Sequence, residues 1–211
     1  MQLVEIQGEP LATREYLPHN HRGDAILVHG FTGSKEDFDF IAPLLADRGY
    51  RVITFDNRGQ HQSPHSLRAD AYSTQSIARD VIELVKFYKL ERPHLFGHSL
   101  GGVIAQRTII QAPTTFRSLT LMCSGPAARP QPDFPIMARD EFAGKSMNEI
   151  WDSYLDSNFQ AHPRYPLMKA RWLASDLRSV LTHAEELIHF TSVVPEIAAT
   201  KIASIPVPAS A

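Results

Sequence analysis

Apolar residues fall into two rhythms over the first 125 positions. Asp24-Ala25-Ile26-Leu27-Val28-His29 is a short apolar run stopped by Gly30, which predicts a buried strand. Phe38, Ile41, Leu44 and Leu45 then recur on one helical stripe, and Gly49 is the stop signal. Arg51-Val52-Ile53-Thr54-Phe55-Asp56 is a β-branched strand, followed by a polar loop from Asn57 to Tyr72. Ile77, Val81, Leu84, Val85 and Tyr88 recur on one face of a 3.6-residue period, the clearest helix in the chain. Pro93 resets the chain before a brief strand, His94-Leu95-Phe96-Gly97. A helix over about Ser99 to Gln111 and a strand over Ser118 to Cys123 complete this half.

Strands alternating with helices over short connections predict an α/β fold, a mostly parallel sheet with helices on both faces. Beyond it the rhythm changes. Gly125 to Pro135 carries four prolines and reads as a linker. From Glu141 to Thr200 the pattern is helical. Ser146 with Glu149 makes a capping box. Leu177, Val180, Leu181, Ala184, Leu187 and Ile188 form an apolar stripe, and Pro195 suits the first turn of a further helix. This stretch is expected to lie over the sheet as a helical insertion.

Composition narrows the function classes. A chain of 211 residues is one domain's worth and has enough length to bury a core without disulfides or metal. Its 21 basic and 23 acidic residues give a net charge of −2, which excludes an electrostatically driven nucleic-acid binder. No run approaches the ~18 apolar residues of a membrane helix, and Met1 to Ile6 has no signal-peptide pattern. A soluble, cytoplasmic protein is the expectation. Cys123 is the single cysteine, beside Leu121 and Met122, and reads as a small core residue rather than a nucleophile. His61 and His65, and His19 and His21, lack an accompanying Cys or acid cluster at ligand spacing, so no metal is expected. No phosphate-cradling glycine motif is present, so no nucleotide cofactor is expected.

The chemistry concentrates at Gly97-His98-Ser99-Leu100-Gly101, which matches G-x-S-x-G between a predicted strand and a predicted helix. A serine on so sharp a turn projects its hydroxyl above the sheet edge. Glycines on either side remove side chains that would clash where strand and helix approach. The helix begins beside the serine, so its free N–H groups and positive dipole end face the same point. His29-Gly30-Phe31 closes the first central strand, and Phe31 and Leu100 are the candidate backbone donors. His29 itself reads as a structural residue that fixes the loop.

After the next strand comes Asp56-Asn57-Arg58-Gly59-Gln60-His61-Gln62-Ser63. With it the chain resembles an α/β-hydrolase-fold serine hydrolase, whose loop here often reads D-x-R-G-x-G-x-S. His61 stands where the second glycine is usual, a departure that bears on the backbone path of the loop. The resemblance implies Ser99 as catalytic nucleophile and the N–H groups of Phe31 and Leu100 as the oxyanion hole. It implies a small-molecule ester, lactone or related carbonyl substrate. It divides the chain into a core over 1–128, a helical cap or lid over 129–203 and a tail over 204–211 at the start of the next core strand. Ile150, Trp151, Leu155 and Trp172 would line an apolar pocket or simply pack cap on sheet.

The family's triad runs serine, acid, histidine along the chain. The resemblance implies an incomplete α/β-hydrolase fold, lacking the later strands with their acid and histidine. Asp133, His61, His65, His162, His183 and His189 are weak substitutes. Without later strands, Ser118–Cys123 is expected to be an exposed apolar edge inviting self-association. Prolines 206 and 208 are expected to block regular pairing of the tail. Two further readings stay open: a catalytically impaired or non-catalytic binding protein, and a relative using the same turn for acyl transfer or peroxide-dependent halogenation.

Overall fold

The computed structural model describes residues 1–125, 142, 144–200 and 202–207, without the side chains of 154, 158 and 204–207. The proline-rich linker, Asp133 and Pro208 therefore lie outside the described residues.

The elements are β1 (Gln2–Ile6), β2 (Glu9–Tyr16), β3 (Gly23–Val28), α1 (Ile41–Asp47), β4 (Tyr50–Phe55), α2 (Thr74–Phe87), β5 (His94–His98), α3 (Leu100–Gln111) and β6 (Ser118–Met122). Then follow α4 (Met147–Ile150), α5 (Asp156–Phe159), α6 (Tyr165–Leu173), α7 (Leu177–His189), α8 (Val194–Ala199) and β7 (Ala203–Val207). A π-helical turn, Trp151–Leu155, joins α4 to α5. The strands form one seven-stranded sheet in the order β1-β2-β4-β3-β5-β6-β7. β2 pairs antiparallel with β1 and β4, and every other pairing is parallel.

The period-2 alternation of β3 divides the core. Ile26 and Val28 face the large apolar cluster built with α2 and α3. Ala25 and Leu27 face the opposite side, with Phe38, Ala42 and Val52. The α2 stripe is buried as its spacing predicts, and Ser73 caps it, its side chain accepting from the Ser76 N–H at 3.1 Å. The Ser146–Glu149 capping box and the proline-opened α8 also form.

Four expectations change. The N-terminal hairpin β1–β2 was not anticipated; it turns through Gln7 (φ 54) and Gly8 (φ 77), two positive φ values in succession. In α1, Ile41 and Leu44 are about half exposed, whereas Ala42 and Ala46 are buried. Phe38 belongs to a separate 3₁₀ turn, Lys35–Phe38, so the expected stripe crosses a break in the helix. Cys123 is exposed, with φ 52, because β6 ends one residue before it. Finally, β6 is not the sheet edge. β7 pairs with it from Ser118↔Ala203 to Met122↔Val207, carrying Pro206 opposite Leu121. Among the described strands β7 lies at the edge, where a proline's missing donor can face away from the ladder.

Phe142 and residues 144–199 pack onto the C-terminal ends of the strands. Ile150, Trp151, Trp172, Val180 and Ala184 join Phe31 and Leu100 in one apolar cluster. Polar ties add direction: Asp176 N–H donates to Gly59 O at 2.7 Å, and Thr74 N–H to Glu186 Oε2 at 2.7 Å. Among the described residues no helix is long and apolar enough to cross a membrane.

Candidate active site

Ser99 is the single residue between β5 and α3, and it adopts φ 52, ψ −116. That conformation is costly for a residue with a Cβ and persists only where the surroundings enforce it. They do so by backbone contact. A Cβ at Gly97 would come within 2.6 Å of Gly101 C, and one at Gly101 within 2.6 Å of His29 O. β5, α3 and the end of β3 therefore meet at separations only glycine allows. The Ser99 N–H donates to Met122 O at 2.9 Å, which ties the turn to β6. Leu100 opens α3, so its N–H has no intrahelical acceptor. Ser99 is partly exposed and Leu100 fully buried.

The loop after β3 lies against this turn. A Cβ at Gly30 would stand 3.3 Å from the Ser99 Cβ. His29 is fully buried, as expected of a loop-fixing residue: its Nδ1–H donates to Gly30 O at 2.8 Å, and its Nε2 accepts from the Asn57 N–H at 3.0 Å. A backbone donor at Nε2 fixes the neutral tautomer with its proton on Nδ1. Gln60 Nε2 donates to Phe31 O at 2.6 Å and so orients the peptide that follows Phe31, whereas the plane that carries the Phe31 N–H contains Gly30 O, the oxygen that His29 holds. Sequence reasoning missed Gln60, because nothing local links it to a loop 29 residues earlier.

The loop after β4 acts as a brace. Asp56, fully buried, accepts from Lys35 N at 2.8 Å and from Lys35 Nζ at 2.7 Å. Ser63 Oγ donates to Asp56 O at 2.7 Å and accepts from Ala12 N at 3.0 Å. Arg58 grips Asp80 through Nε at 3.0 Å and Nη2 at 2.6 Å. His61 adopts the left-handed backbone that glycine would favour, φ 48.

Glu36, Asp56 and His61 bring ligand-type atoms within 4.8 Å of one another. The Lys35 ammonium, 2.8 Å from Glu36 and 2.7 Å from Asp56, already supplies the cation there. Burial would raise the Glu36 carboxyl, but hydrogen bonds from Lys35 and Ser34 overcome it and hold the group at about 2. Burial pushes the His61 and His98 imidazoles below their usual range.

The candidate substitute bases are engaged elsewhere. His61 Nε2 lies 3.8 Å from Glu36, His65 Nδ1 3.9 Å from Asp176, and His183 Nδ1 3.4 Å from Ser179 Oγ. His162 Nδ1 accepts from Arg164 N at 3.1 Å, and His189 lines a shallow hollow with Thr74 and Arg107. Among the described residues, no histidine is hydrogen-bonded to Ser99. Ile150, Trp151, Leu155 and Trp172 are buried in the main apolar cluster, packing residues rather than the walls of an open pocket.

Residues 26–187 match the family described as alpha/beta hydrolase fold. The chain belongs to this family. It is similar to "Uncharacterized hydrolase YugF" of Bacillus subtilis (strain 168), 34% identical over 110 residues, covering 52% of this chain and 40% of that protein. It is also similar to "sn-1-specific diacylglycerol lipase ABHD11" of Xenopus laevis, 33% identical over 112 residues, covering 52% of this chain and 35% of that protein. The matched stretch thus spans less than half the length of these curated relatives. Among solved structures, the enol-lactonase from Burkholderia xenovorans LB400 superposes with a TM-score of 0.81 at 15% identity, over 97% of this chain and 80% of that one. At that identity the likeness shows the hydrolase fold alone.

Proposed function

We propose that this chain carries the nucleophile and oxyanion hole of a serine hydrolase acting on small ester, lactone or related carbonyl substrates. Ser99 Oγ attacks the carbonyl carbon. The N–H groups of Phe31 and Leu100 hold the oxygen on which negative charge develops, each worth about 3–4 kcal/mol of transition-state stabilisation. Phe142 and residues 144–199 act as a cap over the strand ends. The observation that carries this reading is the backbone of Ser99, φ 52 and ψ −116, held between β5 and α3 against the Gly30 loop. No other role is evident for a strain kept in place by glycine contacts on both sides. The hydrolase and lipase names of the relatives agree with it.

A serine hydroxyl needs a base to attack at neutral pH. The described residues bring no histidine to Ser99, and this favours a second reading in which the chain as given binds substrate but turns it over slowly. One comparison separates the two. Wild type and Ser99→Ala are assayed with p-nitrophenyl butyrate and labelled with a fluorophosphonate probe. Turnover and labelling that vanish in Ser99→Ala support the nucleophile. Equal background rates and no labelling in either protein support the binding-only reading.

A further inference from the structure

The serine and its loop account for one end of a substrate. A buried guanidinium on the overlying helix bears on the other end. Arg171 in α6 is only 3% exposed. Its Nη1 pairs with Asp37 Oδ1 at 2.9 Å, while Nε and Nη2 have no hydrogen-bond partner among the described residues. Nη1 is the nitrogen on the Cδ side, so the two unspent donors share the opposite edge. That edge is the one whose parallel N–H bonds match the two oxygens of a carboxylate. Leaving both donors buried and unmade is costly, and native interiors rarely do so without a ligand or water to receive them.

The position of Arg171 ties this edge to Ser99. Its neighbour Trp172 packs against Phe31. Its partner Asp37 lies over Gly33, which stands 3.3 Å from Gly30 on the same Cβ measure, and Gly30 stands 3.3 Å from the Ser99 Cβ. Asp37 is also close enough to act on the charge of His98, the residue before Ser99. The fork therefore belongs to the same end of the sheet as the serine, one loop away. Lys35, the other buried cation nearby, is fully engaged by Asp56, Glu36 and Gln62 and leaves no donor edge open.

We infer that Arg171 binds the carboxylate of a substrate that carries an anionic group in addition to the carbonyl attacked by Ser99. In chemical class, this is a half-ester of a dicarboxylic acid, or a lactone that keeps a free carboxylate. The inference rests on the serine-hydrolase reading for the reaction, but the binding step is separable from it.

The test uses two readouts on wild type, Arg171→Gln and Arg171→Lys. Isothermal calorimetry compares succinate with uncharged butanamide, and kinetics compare mono-p-nitrophenyl succinate with p-nitrophenyl butyrate. Wild type is expected to bind succinate and not butanamide. Arg171→Gln is expected to weaken succinate binding roughly 10- to 100-fold. It should raise KM for the charged ester far more than for the neutral one. Arg171→Lys keeps the charge but not the fork and is expected to fall between; it also carries the test should Arg171→Gln fail to fold. Succinate and butanamide binding alike, or equal losses on both esters, would overturn the assignment and leave the fork to ordered water. Turnover indifferent to Ser99→Ala, with succinate binding still dependent on Arg171, would sink the serine reading while sparing the anion site.

Discussion

The Trp172 ring stands edge-on to the Phe31 ring, with centroids 5.7 Å apart and planes at 73°. One ring belongs to the loop proposed to hold the oxyanion and the other to the helix above it. Trp172 is 2% exposed, and its Nε1–H donates to Met147 O at 2.8 Å, so it joins α6 to both α4 and the Phe31 loop. Trp172→Ala is expected to cost about 3–5 kcal/mol, the range for emptying a large buried aromatic site. Trp172→Phe keeps a ring but drops the hydrogen bond and is expected to cost less than half of that. Urea unfolding of both variants checks the order.

Gly101 makes a sharper prediction. A methyl there meets the backbone oxygens of β3, which have no freedom to move aside. Gly101→Ala is expected to destabilise by about 3 kcal/mol or more, at the upper end of overpacking costs. Gly8→Ala is the control: its Cβ meets nothing within 4 Å, and only its φ of 77 is unfavourable. It is expected to cost about 1 kcal/mol. Comparable urea midpoints for the two variants would contradict the contact argument at the serine turn.

Much of this arrangement was legible because it is local. Ile77 to Tyr88 sit on one helix, and Gly97 to Gly101 lie within one turn, so periodicity and spacing carry them. The α1 stripe misled because Phe38 and Ile41 belong to different elements separated by a backbone break, which hydrophobic spacing does not report. The β1–β2 hairpin hid behind Gln7, a residue without the turn preference of Asn or Asp. The tail reads as the start of a strand, but its prolines argue against the regular pairing with β6 that it makes. Gln60 on Phe31 and Arg171 on Asp37 were beyond reach altogether. The latter pair spans 134 residues, and no local signal marks such partners.

Gln60 separates orientation from direct contact. Its Nε2 holds Phe31 O, and its Oε1 accepts from Asn57 Nδ2 at 3.0 Å, so both ends of the amide are fixed. Gln60→Leu fills the same space without a donor and frees the peptide after Phe31, which loosens the loop that carries the Phe31 N–H. If the Phe31 N–H serves the oxyanion, kcat on p-nitrophenyl butyrate is expected to fall roughly 10- to 100-fold, short of the ~10²–10³ for losing a donor outright. KM should change little, because the interaction is made in the transition state. A loss confined to KM would place Gln60 in substrate binding instead.

His183 predicts how stability depends on pH. It is fully buried on α7; burial lowers its pKa to about 3, and its Nε2 has no hydrogen-bond partner among the described residues. In the unfolded chain an imidazole titrates near 6.5. Between about 6.5 and about 3 the unfolded chain therefore binds a proton that the native state refuses. Stability is complete above about 6.5 and declines as pH falls through that window, at up to about 1.4 kcal/mol per pH unit for one proton. Glu36, held at about 2, acts in the same direction but only below about 4.5, where its unfolded carboxyl begins to protonate. Urea unfolding at pH 7.5, 6.5, 5.5 and 5.0 stays above the Glu36 range and reads the histidines against Asp80, whose carboxyl burial raises and which acts in the opposite direction. His183→Leu is expected to flatten the slope over that interval without abolishing it, because burial also depresses His61, His94 and His98. An unchanged slope in His183→Leu would mean that the imidazole reaches solvent or gains a proton in the folded state, contrary to its burial between α7 and the strand ends.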